Sequence, residues 1–197
     1  MNVNNVSKTS VDMQITEQAK ATVIFAHGAG ADKDSTFMCN LTAQLVKNNI
    51  NVIRFNFPYM DKRVIDGKRR PPDRMPKLVE CFAKVITQIN DSAACNAPLF
   101  LMGKSMGGRV AATLAKEEHH IINGVICLGY PFHPQKKPEK LRLEPLQGIN
   151  KPVLIVQGER DPLGNKAEIS EYTLSSLCQL HFLTDGDHDL KPRVKSG

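Results

Sequence analysis

The sequence predicts an α/β domain in which a mostly parallel, doubly wound sheet of about six strands is flanked by helices. Three observations lead there. Short, unbroken apolar runs recur along the chain, stretches with helical apolar spacing separate them, and reactive or turn-forming residues follow the ends of the runs. Unbroken apolar runs of this length are what parallel strands covered on both faces require. Alternation of such strands with helices implies right-handed crossovers.

The strand candidates come in order. Residues 21–26 (ATVIFA), 52–55 (VIRF), 99–102 (LFLM), 125–128 (VICL) and 153–156 (VLIV) are the five strongest, and 180–183 (LHFL) is a weaker sixth. Between the first two, residues 35–47 place Phe37, Leu41, Leu45 and Val46 on one stripe, with Asp34 or Ser35 as N-cap. Leu78, Phe82, Val85, Ile86 and Ile89 form a second stripe, and residues 106–118 a third through Val110, Ala111, Leu114 and Ala115. Asn165 is placed to cap a helix running to about residue 176. Residues 1–18 are polar and read as a flexible or peripheral segment of a single domain spanning 1–197.

Composition narrows the class. A chain of 197 residues with 41% apolar content and a mean hydropathy of −0.28 suits one soluble domain with a sizeable core. No apolar run approaches the ~20 residues a membrane helix needs, and the polar start lacks a secretory leader's apolar segment. The expectation is a cytoplasmic protein with no membrane partner. Five scattered cysteines (Cys39, Cys81, Cys95, Cys127, Cys178) without a CxxC pair read as free thiols and offer no zinc cluster. Much of the +6 net charge lies in residues 62–74, but no aromatics interleave with it, so nucleic acid is not an expected partner. It reads as a solvated basic loop, or as one wall of a site for an anionic substrate.

In a doubly wound sheet, ligands bind beyond the carboxyl ends of the strands. After LFLM comes Gly103-Lys104-Ser105-Met106-Gly107-Gly108. Gly-x-Ser-x-Gly between a strand and a helix is the setting of a nucleophile elbow, where small flanking residues relieve a tight turn. Gly-Lys-Ser could instead close a phosphate-binding loop. That motif needs a glycine five positions earlier, and position 98 is proline. After VLIV comes Gln157-Gly158-Glu159-Arg160-Asp161-Pro162, which makes Asp161 the candidate acid and Glu159 the fallback. After LHFL comes Asp185-Gly186-Asp187-His188-Asp189, which makes His188 the candidate base. The order nucleophile, acid, histidine is the one in which nucleophile-elbow enzymes present their triads. The aspartates around His188 could offer a metal oxygen ligands, but they lack a calcium loop's length and closing glutamate. No metal and no cofactor is expected.

After ATVIFA stands His27-Gly28-Ala29-Gly30-Ala31, a glycine-rich turn suited to a second oxyanion donor. The expected donors are the N–H groups of Met106 and Ala29, with Gly28 as the alternative to Ala29. His27 is expected to order the loop. His27, Gly28, Tyr130 and His133 are the residues expected to border a small-molecule substrate. His119, His120 and His181 need no role.

These motifs, HGAGADKDS, RFNFPYM, GKSMGGR, LGYPFHP, GERDPLG and GDHDL, resemble the small lidless α/β-hydrolases related to dienelactone hydrolases. More narrowly they resemble the group that includes a testis-expressed hydrolase-like protein and the hydrolase-like domain of a chromatin acetyltransferase-complex subunit. The resemblance runs from about Ala21 to the C-terminus. It implies nucleophile, acid and base at Ser105, Asp161 and His188, and leaves the substrate open. Nine residues follow His188, where members of the group usually continue into a closing helix. The expected function is hydrolysis of an ester, thioester or lactone of a small or polar substrate, in an open cleft bordered by residues 130–133 and 62–74. The alternative is a non-catalytic interaction protein that retains the fold.

Overall fold

The computed structural model describes residues 11–90, 97–117 and 121–194. Seven strands form one sheet in the order β1-β3-β2-β4-β5-β6-β7. They are β1 (Val11–Gln14), β2 (Ala21–Ala26), β3 (Ile50–Phe55), β4 (Leu99–Lys104), β5 (Ile122–Leu128), β6 (Val153–Gly158) and β7 (Cys178–Leu183). Six run parallel, and β1 pairs antiparallel with β3 at the edge. The helices are α1 (Thr36–Lys47), α2 (Pro58–Asp66), α3 (Met75–Asn90), α4 (Met106–Lys116), α5 (Glu144–Gln147) and α6 (Lys166–Ser170).

Alternation along the strands divides the core in two. Ile24, Ile53, Phe55, Leu101, Val125 and Ile155 face α2, α3 and α4 in the larger cluster, where Phe55 and Phe82 meet at 4.9 Å. Val23, Phe25, Val52 and Met102 face the other way, against Met38, Phe37 and Leu41 of α1. Among the described residues α1 is the only helix in that second cluster. Ile126 and Val156 are partly buried there, and Leu154 remains exposed.

Several sequence expectations change. Residues 11–14 are an ordered edge strand, too short and too polar to signal itself, that docks through the Asp12–Arg54 ion pair. Residues 1–10 lie outside the described ones. The basic segment 62–74 is not wholly a loop, because α2 runs to Asp66 with Pro58 at its first turn and Gly67 left-handed at its end. The helix from Asn165 has its capping box with Glu168 but stops at Ser170. Beyond it the chain turns away to seat Tyr172 on Phe132 and to bond the Ser175 N–H to the Leu146 carbonyl. The helix expected over residues 106–118 is α4 and ends at Lys116, and His119 and His120 lie outside the described residues, as does Cys95. The other four cysteines are free thiols. Residues 129–152 carry only the single turn α5, and no lid is present among the described residues.

The carboxyl ends of the parallel strands lie side by side: Ala26 pairs with Phe55 and Gly103, Leu128 with Lys104 and Val156, and Gly158 with Leu183. The turns that follow these ends therefore converge on one edge of the sheet.

Candidate active site

Ser105 joins β4 to α4. Its backbone stands at φ 52°, ψ −116°, a region closed to most residues with a Cβ and held only where the surroundings impose it. The imposing contacts are visible. The Ser105 N–H donates to the Leu128 carbonyl at 2.9 Å, and its own carbonyl accepts from the Arg109 N–H at 3.2 Å. Strand and helix then run so close that a Cβ on Gly107 would come within 2.5 Å of the Ala26 carbonyl oxygen.

Asp161 lies past the end of β6 and is fully buried. A buried carboxylate needs its lone pairs occupied. One oxygen accepts from the Leu163 N–H at 2.8 Å; the other accepts from Gln157 Nε2 at 2.9 Å and from His188 Nδ1 at 2.8 Å. His188 Nε2 in turn meets Ser105 Oγ at 2.9 Å. With Nδ1–H donating to Asp161, Nε2 is left as the acceptor for the serine hydroxyl. The structure thus brings Ser105, His188 and Asp161 into one hydrogen-bonded chain. Glu159 stands elsewhere, bonded to Lys166 and to the Asp185 N–H.

Gln157 is a part of this arrangement that sequence reasoning missed. Its amide bonds both backbone groups of Tyr130, at 2.8 and 3.2 Å, and hands an N–H to Asp161. The signal was there: a fully buried glutamine at the end of the apolar run VLIV must have polar partners. The acidic residues around His188 serve the loop. Asp187 accepts from the Asp189 and Lys191 N–H groups, which hold its carboxyl below the usual range, and Asp185 pairs with Arg160 and Arg193. No metal-holding cluster occurs among the described residues.

The 28–31 loop is tied down through its carbonyls. His27 Nδ1 donates to the Gly28 carbonyl at 2.7 Å, the Tyr59 hydroxyl to that of Ala29 at 3.0 Å, and Arg63 to that of Gly30 at 3.4 Å. Gly28 comes within 3.7 Å of Ser105, measured from the position its Cβ would take. Neither the Ala29 nor the Met106 N–H has an acceptor among the described residues. Met106 follows Ser105 directly, and Ala29 lines the same cavity as Ser105.

Three of the expected substrate contacts are corrected. His27 is fully buried, and its Nε2 accepts the Phe57 N–H at 3.0 Å. Burial pushes its pKa down to about 4, so it is a neutral strut between two loops. Tyr130 is fully buried and spends its hydroxyl on the Arg142 carbonyl. His133 is buried between the Pro134 carbonyl and Glu168. Only Gly28 of that group reaches the cavity beside Ser105. That cavity, about 950 Å³, opens on the α1 side and is walled by Phe37, Met38, Leu41, Leu128 and Leu190. Neither residues 130–133 nor 62–74 line it, because α1, not α2, is the helix that borders the site on the face where β4 ends.

Fold and strand-end geometry together define an α/β-hydrolase-fold protein. The chain belongs to the alpha/beta hydrolase domain family, which matches residues 19–197. It is similar to a dienelactone hydrolase from Anabaena variabilis, at 19% identity over 93% of this chain and 83% of that one, TM-score 0.76. It is also similar to a lidless α/β serine hydrolase from Xanthomonas campestris (18% identity, 91% and 80% covered, TM-score 0.71). A third likeness is to Est1E from Butyrivibrio proteoclasticus (14% identity, 94% and 88% covered, TM-score 0.71). At these identities the likeness is one of fold. Among the described residues no helix is long and apolar enough to cross a membrane.

Proposed function

We propose that this chain is a serine hydrolase that cleaves an ester, thioester or lactone through an acyl-enzyme on Ser105. The observation that carries the reading is the unbroken relay from Ser105 Oγ through His188 to buried Asp161, with bonds of 2.9 and 2.8 Å. In the first step Oγ attacks the substrate carbonyl carbon while His188 Nε2 takes the hydroxyl proton. Asp161 keeps the imidazole in the right tautomer and stabilises the imidazolium. The Met106 and Ala29 N–H groups receive the oxyanion, each donor contributing about 3 kcal/mol to the transition state. His188 then returns the proton to the departing alcohol or thiol. Water, activated by the same imidazole, attacks the acyl-enzyme and releases the acid and Ser105. No step requires a cofactor.

Strain at Ser105 supports this reading, since such backbone persists where it serves function. The apolar α1 wall favours a substrate with an apolar group of several carbons over the small or polar one expected from sequence. The test is turnover of p-nitrophenyl butyrate by the wild type and by Ser105→Ala. The reading requires the variant to fold and to lose at least about 10³-fold in kcat. Equal turnover by the two would remove Ser105 as nucleophile.

A further inference from the structure

The residue between Gly103 and the nucleophile is a lysine, and its ammonium is buried beside the base. Lys104 is 9% exposed, and its Nζ donates to the His188 carbonyl at 2.5 Å, across 84 positions of chain. Gly129, at the end of β5 with φ 64°, leaves the space in which this happens. A Cβ there would lie 3.0 Å from the His188 carbonyl oxygen, 3.2 Å from Lys104 Nζ and 3.5 Å from His188 Nδ1. Ammonium, carbonyl and imidazole therefore crowd one spot that only a glycine keeps open.

Resting on the serine-hydrolase reading above, we infer that Lys104 is a positioning residue that clamps the His188 loop from the nucleophile's own strand and sets the imidazole's basicity through its charge. The clamp follows from connectivity. Lys104 precedes Ser105 directly, so one short segment of β4 fixes the nucleophile and the backbone of its base together. An ammonium is a better donor here than a neutral group, since a charge-assisted bond is roughly twice as strong as a neutral one. The electrostatic part follows from proximity, because a cation beside the ring opposes the positive charge that forms on it when the serine proton is taken. Asp161 opposes this from the other side of the ring.

The groups facing the ammonium are Asp189, at 3.8 Å, and the carboxylates of Asp161 and Asp187. They favour the charged form, yet burial outweighs them and draws the Lys104 pKa below the usual lysine range. Loss of the clamp on raising the pH is thus expected earlier than for an ordinary lysine. Tyr59 and Tyr130, the phenols nearest the site loops, are pushed up by burial and do not titrate in that range.

The experiment measures the rate of fluorophosphonate labelling against pH for the wild type, Lys104→Met, Lys104→Arg and Ser105→Ala. Thermal unfolding checks the fold of each. Labelling of the wild type but not of Ser105→Ala establishes the nucleophile independently of Lys104, so a failure of that reading is seen separately. Lys104→Met is expected to label at least about tenfold more slowly, with its acid limb moved to higher pH and the alkaline decline of the wild type gone. Lys104→Arg, which keeps the charge, is expected to hold the acid limb at the wild-type position. A purely structural lysine would lower the rate without moving the limb. A folded Lys104→Met with the wild-type profile overturns the inference. If Lys104→Met does not fold, the wild type still decides: labelling that stays flat through the alkaline range overturns it.

Discussion

Gly103 and Gly107 meet across the strand-to-helix turn so closely that a Cβ on Gly103 would lie 2.1 Å from the Gly107 carbonyl carbon. The contact is backbone against backbone, so no side chain can swing aside. It is the reason α4 can begin at the residue after Ser105 and the serine can hold its left-handed backbone.

Gly103→Ala is accordingly expected to cost at least about 3 kcal/mol, at or beyond the upper end of ordinary overpacking. Gly30→Ala is the control, since nothing lies within 4 Å of its added methyl group and no positive φ is required there. Urea denaturation of the two variants checks this. Similar stabilities would mean that the turn is looser than described.

Asp161→Asn should fold but lose activity. Asp161 accepts at both oxygens, from Leu163, Gln157 and His188. An amide there can turn an NH₂ toward Nδ1 and select the wrong imidazole tautomer, for a loss on the order of 10⁴ in kcat. Glu159→Gln is expected to stay within about threefold of wild type, since the Glu159 carboxylate is engaged by Lys166 and the Asp185 N–H. Steady-state kinetics on one ester separates the two carboxylates, and the reverse ranking would exchange their roles.

Stability should fall in acid through His27. Its pKa is about 4 in the folded chain against 6.5 unfolded, so between those values the unfolded state binds more protons. Stability therefore rises with pH across that window, is fully present above about 6.5 and is lost as pH falls toward 4. The full effect is on the order of 3 kcal/mol. His27→Gln should be less stable at pH 7, having lost the fit to the Phe57 N–H and the Gly28 carbonyl, but its stability should change less between pH 6.5 and 4. A parallel pH slope in the two proteins would assign the acid sensitivity to other groups.

Chain length of the substrate should matter more than charge. Each methylene buried against Phe37, Leu41 and Leu190 can add up to about fourfold to kcat/KM. A p-nitrophenyl ester series from acetate to octanoate, run at low and high salt, is expected to rise with length before levelling, with little salt dependence. Preference for acetate together with strong salt sensitivity would move the binding site to the basic segment at 62–74.

The positions of Ser105, Asp161 and His188 were legible because each follows an apolar strand, and the carboxyl ends of parallel strands all lie along one edge of the sheet. Ala21–Ala26 was readable to the residue, since it is buried on both faces. What escaped was set by tertiary context. β1 is four residues of mixed polarity and is defined by pairing with β3 and by the Asp12–Arg54 pair. α2 is polar along much of its length, and its apolar Val64 and Ile65 remain exposed, so its periodicity gave no warning. Tyr130 and His133 were assigned to the cleft because they follow β5. The chain instead folds inward after Gly129, and Gln157 and Arg142 hold Tyr130 in the core. Position after a strand end says that a residue is near the site, and not which way its side chain turns.

The most direct test of the central claim is covalent. Incubating the protein with one equivalent of a fluorophosphonate at neutral pH, then mapping the adduct by peptide mass spectrometry, asks whether Ser105 is an activated nucleophile. The expected result is near-stoichiometric modification confined to Ser105, abolished in His188→Ala at equal fold stability. Absence of modification in the folded wild type, or an adduct spread over other serines with Ser105 unmodified, would contradict the account.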